Sequence, residues 1–494
     1  MKYRFGRVVT LGMATLLRTG VASAHYMTEP YVLPVPFWLY VYACSATLLV
    51  TFAILGYFFG VSSVGPKIRL WEVPSGKPWA LLGRVVKLVL RAGSVALLIL
   101  TIATALFGSL DSTLNASMTL FWVVFLLGLS YASAVIGNVF EFANPWRVVI
   151  EWFGALFRVD IEKGRFKYPM RLGYYPAFAF YLVLIWSELF VLPNPFYLGK
   201  LLSIYSLIII VGVWLYGAAA WFQYAEIFSV FFRMIGTIAP VDYVRAAPGA
   251  SLKVRLRAPF SGAITFQPDH ASLVLFVLFM LASTAYDAVY DTEAWQNLYW
   301  RHLIPLAQPL LGIDMAKASE GLMSWFLIYK RGGLFLAPFL YLALYYIVIL
   351  WTRALTKTTL TTRQLAQDFI ASLIPIAFVY NVAHYYTLLV GEIVKVPWLL
   401  SNPFGFEWDL FGLGERSKPT YIDVAIIWHT QVGLILVGHV VSVYLAHIIA
   451  LRVFPTRKAA VLSQIPMLLL MVAYTAIGLY LLSLPLAVAQ LRGD

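Results

Sequence analysis

The sequence predicts an all-α, polytopic membrane protein, a bundle of about ten transmembrane helices that follows a cleavable signal peptide. Hydrophobic residues make up 61% of the 494 residues and charged residues only 12%, and the mean hydropathy is +0.80. Ordinary globular domains are roughly 45–50% apolar and about 25% charged, so this chain has little soluble mass. The single cysteine, Cys44, lies in an apolar stretch, which excludes an intrachain disulfide and a cysteine-based metal site.

The N-terminus has the pattern of a secretory signal peptide over residues 1–24. A basic start precedes the apolar residues 8–17, and the small residues 21–24 fit a cleavage site. Cleavage there leaves a single integral membrane domain, 25–494, with His25 as its first residue. An N-terminal histidine offers an amine and an imidazole together, which can chelate copper. The alternative, that His25 follows the cleavage site by chance, stays open.

Ten further stretches approach the roughly 20 apolar residues that a helix needs to cross a bilayer. The predicted spans are 37–60, 85–108, 118–140, 174–193, 201–222, 271–289, 334–352, 369–391, 422–447 and 463–486.

Lysine and arginine collect in alternate loops between these spans. The loops 61–84, 141–173 and 223–270 are basic, as are the segments after the seventh and ninth spans, whereas the loops between them are short, mixed or acidic. This positive-inside pattern places the basic loops in the cytoplasm and both mature termini outside. The basic residues that give the net charge of +13 therefore set the topology and lie next to the lipid headgroups. This placement argues against a nucleic-acid partner.

Two cytoplasmic loops carry local structure. Asn144 and Pro145 are typical of a helix start, and the apolar spacing that follows predicts an amphipathic helix at the membrane interface. Residues 252–257 alternate apolar with basic side chains, which predicts a small β-hairpin against the headgroups.

Two loops on the opposite side are longer. Residues 290–333 contain acidic and tryptophan residues, and residues 401–412 combine turn residues with aromatics. The second segment cannot itself span, because its backbone would lack partners in lipid. It is either a lid over a cavity or an aromatic interfacial connection, and both interpretations stay open.

The most informative feature is the set of four histidines within the last three spans. They are His384, His429, His439 and His447. An ionisable residue inside the membrane is by default a functional-site hypothesis, although a lone histidine can also serve as a hydrogen-bonding contact between helices.

The predicted topology sorts these histidines by depth. His384 and His429 both lie roughly 10 Å below the outer surface on antiparallel helices, so they can meet, whereas His429 and His447 are roughly 27 Å apart along one helix. Asp287 and Glu188 also lie near the outer ends of their spans. Histidine with carboxylate suits zinc, or copper if His25 joins.

Several short motifs occur in a set order along the chain. They are Asn144-Pro145-Trp146-Arg147, Ala383-His384-Tyr385, Asp409-Leu410-Phe411-Gly412, Gly438-His439-Val440 and Leu445-Ala446-His447. In this order, with the spans around them, the chain resembles a family of bacterial polytopic membrane proteins known as fenitrothion hydrolases. The resemblance covers nearly the whole mature chain. It implies an inner-membrane location.

The resemblance implies hydrolysis of a hydrophobic organophosphorus triester with release of a nitrophenol. A bound divalent metal, zinc or copper, would activate the attacking water. The family pattern matches histidines at 25, 384, 439 and 447, but it has an aromatic residue, usually tyrosine, where this chain has His429, and an acid where it has Ile448. The catalytic candidates are His384, Asp287 and Tyr385, with Tyr386 nearby. The candidate metal ligands are His384, His429, His25, His439 and His447.

Two other classes of function stay open. One is a non-enzymatic membrane protein that handles copper or another small solute, and the other is a respiratory subunit in which paired histidines ligate b-type haem. The sequence has no Walker loop, GxSxG, HExxH, Rossmann glycine pattern or CxxCH motif that would point elsewhere.

Overall fold

The computed structural model describes residues 36–58, 70–72, 77–191, 194–245, 252–311, 319–413 and 423–483. The predicted signal peptide and His25 lie outside these residues. Thirteen helices in the described part carry labels here. They are α1 (Phe37–Phe58), α2 (Lys77–Phe107), α3 (Ala116–Ile136), α4 (Pro145–Phe157), α5 (Tyr175–Phe190), α6 (Pro195–Tyr216), α7 (Ile227–Gly236), α8 (Ser272–Val289), α9 (Ser319–Thr356), α10 (Thr362–Ile370), α11 (Ile374–Ile393), α12 (Val424–Val453) and α13 (Arg457–Ser483).

Shorter elements complete the described chain. They are the helices Phe140–Ala143, Ala218–Ala220, Ser261–Thr265, Glu293–Asn297, Ile304–Leu311 and Val396–Ser401, the 3₁₀ turn Ala371–Leu373, the π-helical segments Thr119–Gly128 (within α3), Trp221–Ala225 and Leu298–Leu303, and the strands β1 (Trp71–Glu72), β2 (Val241–Arg245) and β3 (Leu252–Leu256).

The helical membrane bundle is confirmed. Within the described ranges, nine helical segments are long and apolar enough to cross a bilayer, and they coincide with nine of the ten predicted spans. The tenth prediction, 174–193, corresponds to α5, which has only 16 residues. The chain is therefore a multi-pass membrane protein.

One boundary differs strongly from the prediction. The expected span 334–352 is the middle of α9, which begins at Ser319 and has 38 residues. Residues 319–333, expected to belong to an outer loop, are helical because their apolar side chains continue the helix and pack on the segment before them. Tyr299 and Phe326 illustrate this contact, with ring centroids 5.1 Å apart.

The centre of the bundle is α8. Nearly all of its side chains are buried, and it packs against α5, α9 and α11, while α11 packs closely on α12. By contrast, α1 and α2 bury few side chains and expose many large apolar ones, as expected for helices that face lipid. A polar residue on α8 is therefore held inside protein, away from lipid and bulk water.

The helix and the strand pair predicted for two of the basic loops are both present. Asn144 caps α4, its Oδ1 accepting a hydrogen bond from the Arg147 backbone N–H at 3.1 Å, and the helix exposes Phe153 and Phe157, which suits the membrane interface. Strands β2 and β3 form the expected antiparallel hairpin. An unpredicted strand, β1, adds to its edge, in the order β1-β3-β2.

The segment 401–412 is an ordered cap on the loop that joins α2 to α3. The Ser109 backbone N–H donates to the Phe404 carbonyl at 2.8 Å, and the Ala116 N–H donates to the Pro403 carbonyl at 3.1 Å. Asn402 Oδ1 accepts from the backbone N–H groups of Phe406 and Trp408. These bonds satisfy a backbone that has no helix or strand of its own.

Candidate functional site

A buried histidine–aspartate pair links the two central helices. His384 Nε2 on α11 lies 2.7 Å from Asp287 Oδ2 on α8, and the two side chains are only 1% and 9% exposed. The Tyr385 hydroxyl donates to the same Oδ2 at 2.9 Å. We call Asp287 and His384 the dyad. A carboxyl group is tolerated at this depth because two donors replace its water.

Helix geometry explains why these residues meet. Asp287 lies two residues before the end of α8, about 3 Å from it along the axis, and His384 lies in the second half of α11. The adjacent His384 and Tyr385 reach one carboxylate from different sides, with their rings nearly perpendicular and their centroids 4.7 Å apart. The contact thus fixes the rotation of α11 against α8.

A second carboxylate accompanies the dyad. Glu188 on α5 is close enough to interact electrostatically with Asp287 and with the Tyr385 hydroxyl. Side chains from α5, α8 and α11 therefore form one cluster, which contains Glu188, Asp287, His384 and Tyr385. We call these four residues the polar cluster.

The polar cluster borders an internal cavity, which we call the polar cavity. It has about 30 Å³ open to the centres of water molecules, which is room for about two waters. Its polar lining comprises Ser130, Glu188, Ser283, Thr284, Asn381 and Tyr385. Hydroxyl, amide and carboxyl groups around a space of this size suit ordered water.

Part of the wall of the polar cavity is π-helical. Residues Thr119–Gly128 of α3 form a π-helix of 10 residues, and Trp122, Leu126 and Leu127 from it line the cavity. Such wide turns are frequent at functional sites. The sequence gives no signal for this segment, because its apolar residues fit an ordinary helix equally well.

A second cavity, which we call the apolar cleft, lies on another side of the dyad. It has about 60 Å³ open to the centres of water molecules, and its lining includes Leu278, Tyr341, Tyr380, His439, Met471 and Tyr474. Neither Asp287 nor His384 lines either cavity directly. Their neighbours in sequence do, with Tyr385 on the polar cavity and Tyr380 on the apolar cleft.

The structure does not join His429 to His384. His384 is buried against Asp287, whereas His429 is exposed and its ring lies near that of Tyr40, at 6.1 Å between centroids. The neighbouring Trp428 is the buried residue at this level of α12. Successive residues of a helix point about 100° apart, so His429 faces away from the interior when Trp428 faces into it. Equal depth in the membrane therefore does not bring His429 and His384 together.

The two deeper histidines have separate partners. His439 Nδ1 donates to the Ile435 carbonyl at 2.9 Å, and His447 Nδ1 contacts Gln464 Oε1 on α13 at 3.2 Å. Both rings are buried. His447 and Gln464 thus tie α12 to α13, and His439 belongs to the apolar cleft.

The donor set does not fit the expected metal within the described ranges. There, no three histidine, cysteine, aspartate or glutamate side chains converge as ligands would, and His384 Nε2 and Asp287 Oδ2 are bonded to each other. His25, the remaining ligand candidate, lies outside the described residues. The zinc or copper site therefore stays a prediction that depends on His25.

Comparison with known proteins adds no family. No family model, curated protein or solved structure matches the chain.

Sequence reasoning identified the dyad residues but missed several neighbours. Ser283 and Thr284 lie four and three positions before Asp287, on its side of α8, and both are buried. Two adjacent hydroxyl residues in an otherwise apolar stretch are a signal that could have indicated a polar wall.

Proposed function

We propose that this protein is a membrane-embedded hydrolase of apolar phosphotriesters, in which the dyad activates water. The observation that carries the proposal is the 2.7 Å hydrogen bond between His384 and Asp287, buried beside a cavity of water size. A histidine oriented by a carboxylate is the arrangement that general-base catalysis requires. The resemblance to fenitrothion hydrolases supplies the substrate class.

Each residue of the polar cluster has a separate role. Asp287 accepts the hydrogen of His384 Nε2, which fixes the ring and stabilises its protonated form. The general-base role then falls to Nδ1, and because His384 does not itself line the polar cavity, a bridging water carries the proton to it. Tyr385 donates to the same carboxylate oxygen, so it positions Asp287. Glu188 lies on the polar cavity and orients the water there.

The reaction balances with water as the only co-reactant. The water oxygen forms a bond to phosphorus as His384 Nδ1 takes one of its protons. The bond from phosphorus to the aryl oxygen breaks, and the aryloxide leaves with the electron pair. A nitrophenolate leaves without a proton, and His384 then returns its proton to bulk water.

The membrane setting favours such a substrate. Apolar triesters concentrate in the bilayer, and the dyad lies about 3 Å from the end of α8 along its axis. With the predicted topology, that end faces the outer leaflet of a bacterial inner membrane, with both mature termini outside. The substrate then reaches the site laterally from lipid.

A small-solute carrier is the second candidate function. Glu188 and Asp287 lie near each other beside an internal cavity, and intramembrane carboxylate–histidine groups serve as proton relays in transporters. A carrier predicts substrate flux into proteoliposomes without release of nitrophenol.

The test is an assay of the purified protein in detergent. The wild type is expected to release nitrophenol from a nitrophenyl phosphotriester, and His384→Asn is expected to lose about 10²–10⁴-fold in rate. His429→Asn is the matched control, because His429 is exposed and outside the polar cluster, and it should retain activity. Metal and haem content are measured on the same preparations. An inactive wild type, or equal activity in His384→Asn, overturns the proposal.

A further inference from the structure

The two cavities lie on different sides of one helix pair. From α8, Ser283 and Thr284 face the polar cavity, whereas Leu278, Leu281 and Ala285 face the apolar cleft. From α11, Tyr385 and Leu388 face the polar cavity, whereas Ile376 and Tyr380 face the apolar cleft. The dyad joins α8 to α11, so it forms part of the partition between the two cavities. Both linings are largely apolar, and the polar cavity differs in carrying a carboxylate, Glu188, and an amide, Asn381.

The apolar cleft is long and narrow. Along α13 its lining runs from Met467 to Leu481, a rise of about 21 Å, compared with a hydrocarbon core about 30 Å thick. Only about 60 Å³ of it is open to water centres. A lining of this length along one helix suits an extended chain.

One polar group in the apolar cleft lacks a partner. The Tyr380 hydroxyl is buried, and no hydrogen-bond partner for it is found among the described residues. Tyr380 lies four residues before His384 on α11, one turn or about 6 Å away. A buried hydroxyl without a partner costs free energy, and an oxygen of a bound ester would satisfy it as an acceptor.

We infer that the substrate of this site is an ester that carries a long, unbranched apolar chain. This inference rests on the proposed function and names its substrate class. The chain lies in the apolar cleft, an ester oxygen accepts from Tyr380, and water attacks from the polar cavity. The dyad lies at the partition between them, where the scissile bond must be. A lipid-like ester therefore fits the site better than a short, compact triester.

The first test measures chain binding without turnover. A hexadecanol that bears a photoreactive diazirine is crosslinked to the full-length protein in detergent, and the labelled peptides are mapped. We expect labelling to concentrate on 278–285 and 467–481, and to fall about tenfold in Gly478→Leu, which extends a side chain into the apolar cleft beside Tyr380. Gly433→Leu is the control, because nothing lies within 4 Å of a side chain added there.

The second test measures selectivity. Nitrophenyl phosphotriesters with one alkyl chain of four or sixteen carbons share a leaving group. In the wild type the longer chain should have the higher kcat/KM. Gly478→Leu should lower the ratio of kcat/KM for the long substrate to kcat/KM for the short one about tenfold or more. Tyr380→Phe should lower kcat for both substrates about 10²-fold.

The outcomes separate the inference from the proposed function. Hydrolysis with equal kcat/KM for both chains, unaffected by Gly478→Leu, overturns the inference and leaves the hydrolase standing. Localised crosslinking without hydrolysis of either ester overturns the proposed function, and with it the substrate assignment, while the chain site stands. Labelling spread evenly over the lipid-facing helices overturns the chain site itself.

Discussion

Asp287→Asn tests the dyad with the smallest change of shape. Asp287 Oδ2 accepts two hydrogen bonds, from His384 Nε2 at 2.7 Å and from the Tyr385 hydroxyl at 2.9 Å. Asparagine keeps one acceptor oxygen but loses the charge that stabilises a protonated histidine. We expect the hydrolysis rate to fall about 10²–10⁴-fold, because His384 is no longer a competent base.

The stability cost follows from the same two bonds. Hydrogen bonds to a charged group contribute about 1.5–3 kcal/mol each. Asp287→Ala removes both and should cost about 3–6 kcal/mol, whereas Asp287→Asn retains one acceptor and should cost about half as much. The comparison of the two variants therefore separates a loss of catalysis from a loss of folding.

Two assays on the same preparations decide the matter. Nitrophenol release gives the rate, and thermal unfolding in detergent gives the stability. Asp291→Asn is the control, because Asp291 pairs with Lys330 at a more exposed position and lies outside the polar cluster. Wild-type turnover in Asp287→Asn, or an equal loss of activity in Asp287→Asn and Asp291→Asn, would show that the dyad does not activate water.

Three further predictions concern parts of the fold that hold the site. Glu226 accepts hydrogen bonds from the backbone N–H groups at the start of α7 and from the Tyr205 hydroxyl at 2.6 Å. Glu226→Leu should therefore lower the free energy of unfolding by about 3–5 kcal/mol, and Tyr205→Phe should lower it by about 1–3 kcal/mol. Both losses are measured as a lower thermal unfolding midpoint. Arg257 donates to the Gly236 carbonyl at the end of α7 and to the Ala239 carbonyl beyond it. Arg257→Leu should cost about 2–4 kcal/mol and increase protease cleavage of the β2–β3 hairpin, and unchanged cleavage would contradict the role of these contacts. A side chain at Gly108 would meet the Phe404 carbonyl oxygen at 2.9 Å, so Gly108→Ala should loosen the 401–412 cap, which faster amide hydrogen exchange in that segment would report.

The membrane fold was predictable because hydrophobicity reports directly on membrane crossing. The spans and the α4 cap were read from composition and local pattern, and these signals need no knowledge of neighbours. The extension of α9 to Ser319 was missed because Trp325 and the charged residues around it resemble an interfacial loop. The π-helix within α3 was missed because its sequence fits an α-helix equally well.

The depth of the candidate residues in the membrane was predictable from the sequence, but the rotation of their helices was not. Charge placement and helix rise put Asp287, His384 and His429 near one level. Which of them face each other depends on the rotation of α11 and α12, and that is set by packing between helices. Trp428 occupies the buried position on α12, so His429 faces outward. The two cavities also arise from tertiary packing, and no local sequence pattern predicts them.

Hydrolysis in water enriched in ¹⁸O tests directly whether the dyad delivers water to phosphorus. If water activated by the dyad attacks phosphorus, the wild type should place the label in the phosphodiester product and leave the nitrophenol unlabelled. The labelling rate should fall about 10²-fold or more in His384→Asn. Label in the nitrophenol, or equal labelling of the phosphodiester by wild type and His384→Asn, would contradict the account.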